Sequence, residues 1–202
     1  MSKVFTACPL FDAHKTFVTL PMGVAMLHDY PDSKQFVSKI SEQIPDAQQE
    51  FFYTASFLKS YSRKSEATYR SYRNEVERLL LWSWTVANKS VIALRRPDLE
   101  AYFDFVHSPP AHWVATSVAD RFRPIDGQAR QNQNWRPFVV KIAKQDRRKA
   151  LDSGLTIPTT TSGHSLSHEA MKICYSALSC FYDYLTDEGS SVSNPIPELS
   201  KQ

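Results

Sequence analysis

Glycine is scarce in this chain, five residues in 202, and its three cysteines (Cys8, Cys174, Cys180) form no Cys-x-x-Cys pair. So little glycine argues against a low-complexity tract, and no glycine-rich phosphate loop is present. Three unpatterned cysteines exclude a disulfide framework and read as reduced thiols, two of them on an apolar helix. Long hydrophobic runs are missing too. The longest, Phe17 to Leu27, is broken by Pro21 and has no cleavage pattern nearby, which argues against a secretory signal. Nothing approaches the roughly 20 apolar residues of a membrane span. These absences predict a soluble, cytoplasmic protein with no membrane partner.

Enzyme signatures are absent as well: there is no Gly-x-Ser-x-Gly elbow, no paired-carboxylate arrangement and no complete metal-ligand set. His164 and His168 stand four apart beside Glu169, but no third ligand completes a site, so capping or phosphate contact is expected of them. No catalytic residue, metal or cofactor is predicted. Trp82, Trp84, Trp113 and Trp135 are expected in the core.

What is present is a 42% apolar share in a chain long enough for one domain with a real core. Net charge is only +3, yet it is unevenly spread. Between Arg121 and Lys149 nine Lys/Arg face two Asp, so that stretch carries +7 and the remainder −4. A basic stretch of this kind suits an anionic polymer.

Residues 1–45, interrupted by Pro9, Pro21, Pro31 and Pro45, read as an irregular arm packed on the domain. A helix is predicted from Asp46 to Tyr61, with Asp46 and Gln49 as a capping pair and Phe51, Phe52, Ala55, Leu58 and Tyr61 inward. A second begins at the Ser65 cap and runs to Ala87, burying Tyr69, Tyr72, Val76, Leu79 and Leu80. A third opens at Pro97-Asp98, buries Leu99, Tyr102, Phe103 and Val106, and stops before Pro109-Pro110. A long polar insertion, about 108–164, follows; strand-like alternation is scarce and Phe138–Leu151 reads as a helix. The last helix, Ser167 to Asp187, carries a stripe of Met171, Cys174, Tyr175, Leu178, Phe181, Tyr182 and Leu185. A second row of Ile173, Ala177, Cys180 and Tyr184 leaves little of it for water, and Gly189 stops it. The expected fold is all-α: a bundle of four main helices with an arm and a partly helical insertion.

Three segments carry a resemblance. Ser65-x-x-Thr68-Tyr69-x-x-Tyr72-x-x-Glu75-Val76-x-x-Leu79 with Trp82 resembles the second helix of the N-terminal core-binding (SAM-like) domain of tyrosine recombinases, the phage integrase family. Leu94…Pro97-Asp98-Leu99-x-x-Tyr102 is similar to its third. Ser176-Ala177-Leu178-Ser179-x-Phe181-Tyr182-x-Tyr184-Leu185…Asn194-Pro195 is similar to its last helix and exit. The resemblance covers roughly 46–107 and 165–197. It implies a core-binding domain over 46–197, with 198–202 starting a linker to a catalytic domain not in this chain. It also implies a site-specific recombinase or integrase parent, and a DNA-gripping but non-catalytic role for this part. The partners implied are double-stranded DNA, the protein's own C-terminal catalytic domain, and other recombinase protomers in a tetramer on nucleoid DNA.

In that family the starts of the second and fourth helices approach the major groove. The matching residues are Arg63, Lys64, Ser65, Thr68, Tyr69 and Arg73, then His164, Ser165, His168 and Lys172; Arg73 and Lys172 are expected to reach furthest. In the insertion, Arg136, Lys141, Lys144, Arg147, Arg148 and Lys149 are expected along the phosphate backbone. A second reading is an all-α protein-interaction module whose basic insertion binds an acidic partner. A small metal-dependent enzyme is the weakest, because ligands are missing.

Overall fold

Local signals set the helices. The computed structural model describes residues 7–140, 152, 167–190 and 193–196, and among these the chain is mostly helical with two small sheets. Six α-helices have their bounds among the described residues: α1 (His14–Phe17), α2 (Pro31–Ser41), α3 (Ala47–Ser62), α4 (Glu66–Trp82), α5 (Arg96–His107) and α6 (His168–Asp187). Ser65 caps α4, its Oγ accepting the Thr68 N–H at 3.0 Å; Ser167 does the same for α6 through the Ala170 N–H at 3.2 Å. Gly189, at φ +70°, ends α6 in a Schellman turn. Its own N–H reaches Thr186 O and the Ser190 N–H reaches Leu185 O.

One cap is a correction. Asp46 precedes α3 but makes no side-chain cap bond, because its own backbone is already helical (φ −76°, ψ −10°). Beyond Trp82 the helix continues through a π-turn, Ser83–Ala87, and ends on left-handed Asn88.

The core lies where α3, α4, α5 and α6 meet. Leu99, Tyr102, Phe103 and Val106 are all buried, as are Phe51, Leu58, Val76, Leu79, Phe181 and Leu185. Phe57 joins them, its ring 5.2 Å from Phe181. All four tryptophans are buried. Ile173 is a second correction: it is 45% exposed, so α6 turns a wider strip to water than its apolar rows imply.

The arm is more regular than its prolines suggest. Pro31, tolerated in the first turn, opens the eleven-residue α2. Phe11 stacks on Phe51 at 5.0 Å and Phe17 tilts against Tyr69 at 4.9 Å, both rings fully buried.

The insertion corrects the helical expectation. It contains β1 (Val114–Ala115), β2 (Phe122–Ile125), β3 (Gln128–Gln131) and β4 (Phe138–Val139). β2 and β3 form an antiparallel hairpin in which Ile125 faces Gln128, closed by Asp126-Gly127 at φ +51° and +75°. Both turn residues at positive φ make the primed turn that matches strand twist. Phe138, expected to start a helix, instead pairs in parallel with Val114. The rest of that predicted helix, 141–151, lies outside the described residues.

Candidate nucleic-acid interface

α4 is the longest element touched by both arm and insertion. Its buried Glu77 ties the three together. Glu77 Oε1 accepts the backbone N–H groups of Leu10 (2.7 Å) and Phe11 (3.2 Å), while Arg121 Nη1 bonds both carboxylate oxygens at 2.7 and 2.6 Å. The Arg121 guanidinium lies 4.9 Å from the Trp135 ring. The residue after Glu77, Arg78, pairs with Glu75 (2.6 Å), donates to Pro137 O and covers the Phe138 ring. The hairpin is held to the arm in turn. Ala129 N–H bonds Asp29 O, Gln131 N–H bonds Asp32, and Arg130 pairs with Asp32 at 2.8 Å.

These contacts enclose a cleft of about 480 Å³ between α4, the start of α1 and the loops flanking the hairpin. Five arginines line it: Arg70, Arg73, Arg78, Arg121 and Arg136, with Asp12 and Asp120 as the acidic lining residues. Glu75 and Glu77 offset Arg78 and Arg121 from behind. Arg70 is exposed and has no partner among the described residues.

Arg73 holds the floor. Its Nη1 donates to Asp12 O at 2.8 Å and its Nη2 to Asn74 Oδ1 at 3.1 Å, the same oxygen that accepts Arg121 Nη2 at 3.1 Å. Two guanidinium groups thus meet at one neutral amide. Burial first, then the neighbouring Arg121 charge, brings Arg73 down to about 10. Its Nε–H is buried and has no acceptor among the described residues. An unmet buried donor costs on the order of 1–3 kcal/mol.

The residues expected to face DNA are distributed differently. Arg63 and Lys64 are exposed ahead of α4, with Lys64 Nζ 4.4 Å over the Tyr61 ring. Ser65 and Thr68 serve the cap, their hydroxyls 2.8 Å apart. Tyr69 is fully buried, its hydroxyl donating to Asp12 O at 2.9 Å, so it is a packing residue and not a groove contact. Arg73, expected to reach outward, is 7% exposed and turned onto the arm. Both reversals have one cause: the docked arm covers this side of α4.

At the other end, His168 is exposed on the first turn of α6, and Lys172 is exposed and paired with Glu169 at 3.2 Å. α4 and α6 run antiparallel where they touch. Tyr72 meets Cys180 early in α4, whereas Glu75 and Arg78 lie near Cys174. The two amino-terminal tips therefore lie toward opposite ends of the pair, a span of roughly 25 Å for a 17-residue helix. They do not converge on one surface. Beside Tyr61, moreover, Asp183 and Asp187 of α6 line a shallow depression and set negative charge near the α4 tip.

Arg136 sits at the cleft, half-buried, its Nη1 donating to Gln133 O and Trp135 O at 2.7 Å each. His164, Ser165, Lys141, Lys144, Arg147, Arg148 and Lys149 lie outside the described residues. Sequence reasoning missed Arg70, Arg78 and Arg121 as cleft residues. Arg70, Asn74 and Arg78 do follow one another at four-residue steps, a stripe readable on α4, but Arg121 joins them only through the fold.

Among the described residues no group of three or more His, Cys, Asp or Glu is placed to hold a metal, and no helix is long and apolar enough to cross a membrane. No family model, no curated protein and no solved structure matches the chain.

Proposed function

We propose that this chain is a helical DNA-binding domain of the tyrosine-recombinase core-binding (SAM-like) kind. On this reading it grips recombination-site DNA for integration or excision by a catalytic domain outside the chain. The observation that carries it is the gathering of five arginines from α4 and the insertion around one cleft, next to a resemblance that spans all three motif helices. Arginine forks suit phosphate oxygens. The contact surface favoured is then the α4, arm and hairpin side, with the exposed Arg70 and half-buried Arg136 as its cleft cations, and not two helix tips acting together. His168 and Lys172 lie toward the far end and are assigned no share in the same contact. Chemistry is not expected of this part; its partners are duplex DNA, its own catalytic domain and further protomers on DNA.

The test is anisotropy of a labelled duplex across a salt series. Log affinity should fall with log salt by roughly 0.9 per phosphate neutralised. Arg70→Ala should lower both affinity and slope by about one contact, while Lys172→Ala should change neither. A duplex that fails to bind at low salt sinks the reading.

A second reading, an all-α protein-interaction module for an acidic partner, draws on Val118, 78% exposed at the cleft, and Ile125, 52% exposed on the hairpin. Apolar rims suit a protein better than a phosphate. An acidic polypeptide that outcompetes duplex at equal charge favours it.

A further inference from the structure

The buried Nε–H of Arg73 is a charged donor with no acceptor among the described residues, at the lining of a cleft with four other arginines. Buried charged donors are almost always satisfied. The other two Arg73 nitrogens are engaged, and the neighbouring guanidinium of Arg121 is held by Glu77, Asn74 and Phe11 O. What remains to be met is one N–H on a guanidinium that shares the Asn74 amide oxygen with a second guanidinium. A neutral acceptor would satisfy the N–H but leave the two positive groups facing each other across Asn74. An oxyanion would answer both.

From this we infer that the cleft is a built site for a phosphate group, with the Arg73 guanidinium at its floor and the exposed Arg70 closing on the same group. Asp120, exposed at the same cleft, opposes an anion and sets how tightly it is held. Asp12 does so less. Its carboxylate accepts the Ala13 N–H and the Tyr30 hydroxyl, so it is anchored away by two bonds. The group is either a phosphodiester of the DNA backbone or a free phosphate. The first choice rests on the DNA-binding proposal; the second does not.

The experiment follows the Arg73 Nε–H resonance in ¹H–¹⁵N spectra of the whole chain, assigned through bonds, while inorganic phosphate is added at ionic strength matched with chloride. The resonance should move and saturate. Arg70→Ala, which removes no contact within the described residues, should weaken phosphate by roughly tenfold, the worth of one charge-assisted bond. Asp120→Asn should tighten it. A short duplex that moves the same resonance and is displaced by phosphate identifies the DNA backbone as the source; a duplex that binds without moving it identifies free phosphate. If neither phosphate nor duplex moves the resonance, the site is overturned, even where duplex binding elsewhere keeps the DNA reading alive. If duplex does not bind at all, the DNA reading falls and the phosphate titration still judges the site.

Discussion

Glu50 shows how one side chain can organise a connection that carries no periodic signal. It is 1% exposed on α3 and accepts from Trp84 Nε1 (2.7 Å), the Ser90 hydroxyl and the Ile92 N–H (3.1 Å). These bonds fasten the π-turn and the chain after it to α3. Burial, the largest influence, raises the Glu50 carboxyl above its ordinary 4.5, against the pull of those three donors. The sign follows from proton uptake. Below 4.5 both folded and unfolded states are protonated; as pH rises past it, the folded state keeps its proton longer and loses stability until its own pKa is passed. Glu50→Gln should remove that segment of the pH dependence. It should also cost about 1–3 kcal/mol at neutral pH, since an amide NH₂ replaces an acceptor among three donors. Urea unfolding of both proteins from acid to neutral pH measures the two effects; a slope that survives in the variant assigns it to another group.

The β2–β3 hairpin is one of the elements that sequence reading does not place, together with α2 and the β1–β4 pair, although its signal is present. Asp126-Gly127 between Ile125 and Gln128 is a strong short-range hairpin signature, yet the four-residue strands on either side show little alternation. Gly127 adopts φ +75° with open space where a Cβ would go, so only backbone strain resists substitution there. Gly127→Ala should destabilise by about 1–2 kcal/mol, the left-handed penalty for an L-residue. It should also loosen the Arg130–Asp32 pairing that holds the hairpin to the arm. Thermal unfolding checks the first, and faster amide exchange at Ala129 and Gln131 checks the second. The helices were easier to read. Ser65, Ser167, Pro97 and Gly189 act within one turn of their own position, and all four mark boundaries that the structure reproduces to within a residue or two. The exit after α6 is also local. Asn194 Nδ2 bonds Ser179 and Asp183 while its Oδ1 accepts the Ile196 N–H, folding the Asn-Pro segment back along the helix.

At the scale of the whole molecule the arm, α4 and the insertion form one assembly around Glu77. Its carboxylate is 2% exposed and Arg121 opposite it 10% exposed. Breaking such a pair from one side leaves a buried charge unmatched, at a cost of about 3–5 kcal/mol. Glu77→Ala should therefore lower stability by that amount in chemical denaturation, and free Leu10 and Phe11 enough for limited proteolysis to cut the arm first. An arm that stays protected would show that ring packing of Phe11 and Phe17 holds it without the carboxylate. The same assembly explains why Arg73 faces inward. On an isolated α4 it belongs to an open face next to Arg70; in the folded chain Asp12 lies over it, and Tyr69, already on the inward stripe, is covered by Asp12 and Phe17.

By itself the amino-acid sequence determined the main helices, their boundaries and the apolar stripes of α5 and α6, because caps, prolines and three-to-four spacing act over a few residues. Only the tertiary structure decided which cations face outward and which are enclosed. That choice depends on pairings such as Glu77 with Leu10 and with Arg121, 67 and 44 residues apart. Contacts over such separations are selected by packing of the whole chain and leave no periodic trace in the order of residues.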